Sequence, residues 1–63
     1  MKAIERLLTR AMKLPEPYRT RACLNIGDAE RDLIHWFSYA PQIIRDCEQA
    51  VTFHELDAKE EAP

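Results

Sequence analysis

The feature that most constrains this chain is an isolated segment, Tyr18 to Ile26, whose side chains alternate in the manner of a β-strand. One side carries Tyr18, Thr20, Ala22, Leu24 and Ile26, and the other carries Arg19, Arg21, Cys23 and Asn25. This period of two predicts a strand with one buried and one wet face. Because a strand cannot satisfy its own backbone N–H and C=O groups, we expect it to pair with the same segment of a second copy.

The length of the chain also favours a partner. With 63 residues, it is close to the lower limit at which one core offsets the entropy of the chain. Its 46% of hydrophobic residues is nevertheless too high for intrinsic disorder. We therefore expect one domain, residues 1–55, with a core shared between two protomers, followed by an acidic, disordered tail over residues 56–63.

Two helices are predicted to flank the strand. The first carries the apolar stripe Ile4, Leu7, Leu8, Ala11 and Met12 and should end at the prolines Pro15 and Pro17. The second should begin after Gly27, with Asp28 as its N-cap, and run to Thr52. Pro41 either kinks this helix or breaks it, and the unbroken apolar phase across the proline favours the kink. The predicted fold is mostly α with one short β-strand, a helix–strand–helix chain in an intertwined homodimer with an intermolecular antiparallel β-ribbon.

The sequence offers little for catalysis or for metal binding. Cys23, Cys47, His35 and His54 lack the close paired spacing that presents two ligands to one ion. A chain with one glycine also has little material for a catalytic pocket. We therefore expect no enzyme activity, no cofactor and no small-molecule substrate.

Cysteine content and hydropathy suggest a cytoplasmic location. Two cysteines do not form the disulfide framework of a secreted domain, and no apolar run is long enough to cross a bilayer. Charge is uneven, since residues 1–21 carry six basic and two acidic side chains while residues 22–63 carry three basic and nine acidic ones. This asymmetry allows opposite ends of two protomers to attract each other.

The arginine face of the strand supports an alternative, DNA recognition by a ribbon–helix–helix regulator. In such a protein a two-stranded ribbon lies in the major groove, where Arg and Asn side chains read the bases. The residues available for this are Arg19, Arg21 and Asn25. The acidic composition after residue 22 would repel phosphate, so DNA is the less favoured partner.

Apolar residues define two further candidate surfaces. The predicted dimer interface consists of Tyr18, Ala22, Leu24, Ile26, Leu33, Trp36, Phe37, Ala40 and Ile44. A cleft for an amphipathic helix of a partner protein is predicted at Ile4, Leu7, Leu8, Met12, Trp36 and Ile43.

Taken together, the stripe of the first helix, the Pro15-Glu16-Pro17 stop, the Tyr18–Ile26 segment and the aromatic run His35-Trp36-Phe37-Ser38-Tyr39 resemble a known family. The chain is similar over its whole length to small early proteins that lambdoid bacteriophages encode between the exonuclease and excisionase genes. The resemblance implies a homodimeric, non-enzymatic protein of the bacterial host cytoplasm that promotes lytic development by binding a host factor. It brings no functional residues with it.

Overall fold

The chain folds into three helices in the computed structural model, which describes residues 1–61. Helix α1 spans Lys2–Met12, α2 spans Tyr18–His35, and α3 spans Ala40–Glu61. A short 3-10 turn, Phe37–Tyr39, joins α2 to α3. Successive helices run in opposite directions and each contacts the other two, which gives an elongated bundle of 42 × 16 × 15 Å.

The predicted strand is wrong, and so is the β-ribbon that depended on it. Residues 18–26 form the first half of α2, and no strand occurs among residues 1–61. The buried positions of α2 are Tyr18, Ala22, Ile26, Ala29 and Leu33, spaced by three or four residues as in a helix. Steps of four look like a period of two over a short window. A helix also satisfies its own backbone groups, whereas a lone strand requires a second chain.

The prolines between α1 and α2 begin a helix as well as ending one. The backbone N–H of Arg19 donates to the carbonyl of Pro15 at 3.1 Å, and that of Arg21 donates to the carbonyl of Pro17 at 3.2 Å. Proline fits the start of a helix because its missing N–H would have no intrahelical acceptor there. Gly27 and Asp28 both lie inside α2. Gly27 therefore does not end a strand, and Asp28 does not cap a helix.

The second predicted helix breaks instead of kinking. Trp36 has φ −130° and ψ 51°, outside the helical region, and it separates α2 from the 3-10 turn. Helix α3 then begins at Ala40, which places Pro41 in its first turn, where proline removes no hydrogen bond. The carbonyl of Phe37 accepts a hydrogen bond from the backbone N–H of Ala40 instead.

The core consists of small and medium side chains from all three helices. Its buried members are Ile4, Leu7, Ala11, Ala22, Ile26, Ala29, Leu33, Cys47 and Val51. Several of these are alanines, which allow the helices to approach closely but bury little apolar area each. These residues form one continuous cluster within the single chain.

The segment predicted as an acidic tail continues α3. Residues 56–61 are helical and Ala58 is buried, while the last two residues of that segment lie outside the described part of the chain. Over residues 1–61, none of the helices combines the length and the apolarity that crossing a membrane requires.

Candidate functional site

An apolar groove lies at the end of the bundle where α2 turns into α3, which we call the open end. The groove has a volume of about 560 Å³ and is open to solvent. Ile4 of α1 and Leu33 of α2 form its buried floor. Its rim includes Ile34, which is 80% exposed, and Phe37, which is 75% exposed. The complete lining is Met1, Ile4, Glu30, Leu33, Ile34 and Phe37.

The break at Trp36 creates this exposed apolar surface. The aromatic residues of the α2–α3 connection cannot all face the core, because the helix ends before them. Trp36 is 60% exposed and Tyr39 is 61% exposed, beside the still more exposed Phe37. Isolated apolar side chains are common on protein surfaces, but a contiguous patch of large ones at a concave site marks an interaction surface.

One carboxylate, Glu30, lies on the wall of the groove. Within residues 1–61, no cationic group lies close enough to Glu30 to form an ion pair. The groove therefore combines an apolar floor with one free negative charge, which would orient a ligand that carries a cation.

A second, smaller groove of about 200 Å³ lies between α2 and α3. Asp28, Asp32 and Asp46 line it, with Cys47 on its floor. Burial raises the pKa of the Cys47 thiol, and the nearby Glu30 carboxylate raises it further. Because the thiolate is the reactive form, Cys47 is a poor nucleophile. In the described part of the chain, no group of three or more His, Cys, Asp or Glu side chains is placed to hold a metal ion.

Polar side chains fasten the opposite end of the bundle, where the α1–α2 connection meets the last turns of α3; we call this the closed end. The guanidinium of Arg10 donates to Glu55 at 2.6 Å and to the hydroxyl of Thr52 at 3.1 Å. These bonds from Arg10 hold the pKa of Glu55 below its usual value. Glu16 accepts bonds from Thr20 at 2.6 Å and from Arg19 at 2.8 Å, and both lower its pKa.

Tyr18 completes the closed end. It is 5% exposed, and the nearby Glu61 carboxylate and burial raise the pKa of its hydroxyl. Tyr18 begins α2 and Glu61 ends α3, so the start of α2 lies near the end of α3. The closed end thus holds the three helices together through Arg10, Glu55 and the buried Tyr18.

Comparison with known proteins identifies no relative: no family model, curated protein or solved structure matches this chain.

The predicted dimer-interface residues divide between the core and the surface. Four of them, Tyr18, Ala22, Ile26 and Leu33, are buried within the single chain. Ala40 and Ile44 are half-buried against that core. Leu24, Trp36 and Phe37 are between 60% and 75% exposed and stay available to a partner.

The predicted partner cleft coincides with the open-end groove only at Ile4. Leu7 is buried and Ile43 is half-buried, whereas Leu8, Met12 and Trp36 are exposed outside the groove lining. The cleft prediction missed Met1, Glu30, Leu33, Ile34 and Phe37. The signal that could have found most of them is the short connection over residues 13–17, which folds α2 back along α1 and brings the end of α2 beside the start of α1.

The residues of the DNA alternative do not form one reading face. Arg19 bonds to Glu16, the guanidinium of Arg21 lies 5.8 Å from the centre of the Tyr18 ring, and Asn25 bonds to His54 of α3 at 2.8 Å. Without a strand in residues 1–61, they have no ribbon to share. Nothing in this arrangement favours a ribbon–helix–helix regulator.

Proposed function

We propose that this chain is a non-enzymatic protein-binding module of the small early phage type, which acts by holding an apolar segment of a bacterial host protein in the open-end groove. The observation that carries the proposal is the groove itself. It has a buried floor, a rim of highly exposed Ile34 and Phe37, and no segment of residues 1–61 covering it.

The dimensions and chemistry of the groove suit a helical ligand. Its volume of about 560 Å³ lies within the range of sites that bury several large side chains. An amphipathic helix presents such side chains at positions i and i+3 or i+4, and helix-in-groove binding is a common form of recognition. A Lys or Arg on the same ligand helix would pair with Glu30 and set its direction.

The resemblance to early proteins of lambdoid phages supplies the biological setting of the proposal. In that setting the chain acts in the cytoplasm of the infected bacterium and promotes lytic development by binding a host factor. A small helical module with one exposed apolar groove suits this role, because it needs to occupy a site on the host factor and has no reaction to perform.

The test is capture of a host protein by the immobilised chain, repeated with matched variants. Phe37→Ser removes the rim of the groove, whereas Phe53→Ser removes a similarly exposed phenylalanine, 57% exposed, from α3. We expect one host protein to be retained by the wild type and by Phe53→Ser but lost with Phe37→Ser. A titration of the purified host protein should then show a loss of affinity of at least about tenfold for Phe37→Ser. Equal retention by both variants would contradict the proposal.

A further inference from the structure

The flank of α1 beside α2 carries large apolar side chains that lie outside both the core and the open-end groove. These are Leu8 and Met12, and both are exposed. Met1 and Glu5 complete a row with them at positions i, i+4, i+7 and i+11, which is the spacing of one helix face. This row forms a continuous surface along α1, and its first member already lines the open-end groove.

The flank of α2 beside α1 repeats this spacing. Its members are Cys23, Gly27, Glu30 and Ile34. Contacts at both ends show that the two rows adjoin. The thiol of Cys23 lies 3.9 Å from the sulfur of Met12, and Met1 lines the same groove as Ile34. We call the surface formed by the two rows the α1–α2 seam.

Gly27 leaves the middle of the α1–α2 seam open. Because α1 and α2 run antiparallel, the contacts at the two ends place Gly27 opposite Leu8. A Cβ atom built on Gly27 would meet nothing within 4 Å, and no positive φ requires glycine there. The backbone of another helix can therefore approach α2 closely at this point.

The same register places two carboxylates, Glu5 and Glu30, opposite each other on the seam. Within residues 1–61, neither of them has a cationic group at ion-pair distance. Like charges that face each other repel, and a cation placed between them removes the repulsion. Apolar side chains lie on both sides of this position along the seam, so the charge complement is a Lys or Arg inside an apolar stripe.

The other two seams of the bundle are polar. Between α1 and α3, Arg10 bonds across to Thr52 and Glu55. Between α2 and α3, three aspartates line the smaller groove. Of the three seams in the described part of the chain, only the α1–α2 seam joins exposed Leu8 and Met12 to the apolar floor of the open-end groove.

We propose that a helix of the partner protein lies along the whole α1–α2 seam as a fourth helix of the bundle, with a Lys or Arg of its apolar stripe between Glu5 and Glu30. This inference rests on the proposed function, because the open-end groove is one end of the seam. From Met1 to Met12 the seam is about 16 Å long, so a helix of at least about twelve residues covers it. A helix with a wholly apolar stripe would bury the two carboxylates without a partner and bind less tightly.

The first test selects binders to the immobilised full chain from a displayed library of amphipathic helical peptides of about 18 residues, with the stripe positions randomised. We expect the enriched peptides to carry a Lys or Arg with an apolar residue four positions to one side and apolar residues three and seven positions to the other. Enrichment of wholly apolar stripes, or of no peptide at all, would overturn the proposal.

The second test measures where the most enriched peptide binds, by fluorescence anisotropy with variants of the chain. Gly27→Leu fills the open middle of the seam and should raise the dissociation constant at least about tenfold while the helical circular dichroism is kept. Gln49→Leu adds a side chain of the same kind at an exposed position of α3 and should leave binding unchanged. Loss of binding with Phe37→Ser but not with Gly27→Leu would overturn the seam and leave the proposed function standing. The reverse result would support the seam and contradict binding in the open-end groove.

The third test addresses the cation. The double variant Glu5→Gln and Glu30→Gln should weaken the enriched peptide on the order of tenfold, whereas Glu60→Gln, at an exposed position of α3, should have no effect. A peptide in which Gln replaces the Lys or Arg should bind the wild type and the double variant equally. Equal affinity of the original peptide for both forms of the chain would exclude a cation between the two carboxylates.

Discussion

The two ends of the bundle use their side chains in opposite ways. At the closed end, Tyr18 is buried and Arg10, Glu55 and Thr52 bond to one another. At the open end, Phe37 is 75% exposed. Together with Ile34 it forms part of the rim of an apolar groove. Aromatic residues are thus present at both ends, but only the closed end uses its aromatic residue for stability.

This difference shows which end of the bundle can expose apolar side chains to a partner while the fold stays stable. A chain of 63 residues has a free energy of unfolding of only roughly 3–9 kcal/mol. Some of its large side chains must therefore be buried to stabilise the fold. The closed end joins all three helices through polar contacts, which allows the open end to keep apolar surface free for a partner. We expect substitutions at the two ends to separate stability from binding.

The largest expected difference in the free energy of unfolding is between two variants, each of which truncates one aromatic residue at one end of the bundle. Tyr18→Ala should reduce the free energy of unfolding by about 3 kcal/mol, because it leaves a cavity beneath the first turn of α2. Phe37→Ala should change it by less than about 0.5 kcal/mol, since most of that side chain is already in water. Urea unfolding followed by circular dichroism measures both. Similar losses for the two variants would mean that the ends do not differ in this way.

A smaller effect is expected from the ion pair of the closed end. Glu55→Gln removes the charge that accepts from Arg10 and should cost about 1 kcal/mol at neutral pH. Because the pKa of Glu55 is lowered in the folded chain, the pair contributes fully above the unfolded value, about 4.3. Its contribution is lost as pH falls through the lower folded pKa, so wild type and variant should converge in acid.

The matched control for this pair is Asp28→Asn. Asp28 bonds to Arg31 at 3.1 Å, but both side chains are about two-thirds exposed, at 64% and 66%. Such a pair contributes little in water, so Asp28→Asn should leave the free energy of unfolding unchanged at neutral pH. If the free energies of unfolding of the wild type and Glu55→Gln differed by the same amount at every pH, the charge of Glu55 would not be the cause of its stabilising effect.

The sequence predicted correctly those helices in which the spacing of apolar residues fits a helix and does not also fit a strand. The stripe of Ile4, Leu7 and Ala11 correctly gave α1, and these residues are buried. The segment after Pro17 was misread because its buried positions, Tyr18, Ala22 and Ile26, are all even-numbered and so fit both periods. Extending the window to Ala29 and Leu33 would have excluded the strand, since those positions are odd-numbered and buried.

The open-end groove was harder to predict because it depends on where helices end. Pro41 allowed either a kink or a break, and the break was fixed by the backbone of Trp36. Only that break places Phe37 beside Met1 and Ile34. A stripe pattern reports which residues share a helix face, but it does not report which residues meet across two helix ends.

The smallest effect is expected midway between the two ends, at Gly27. Gly27→Ala should raise the free energy of unfolding by about 0.5–1 kcal/mol, because alanine restricts the unfolded chain and fits a site with nothing within 4 Å. For a domain of this size, that is an increase of several degrees in Tm, measurable by thermal unfolding. The gain should be equal in the Phe37→Ala background and in the wild type, because the two sites share no contact. Destabilisation by Gly27→Ala would instead show that the bundle itself requires glycine at this position.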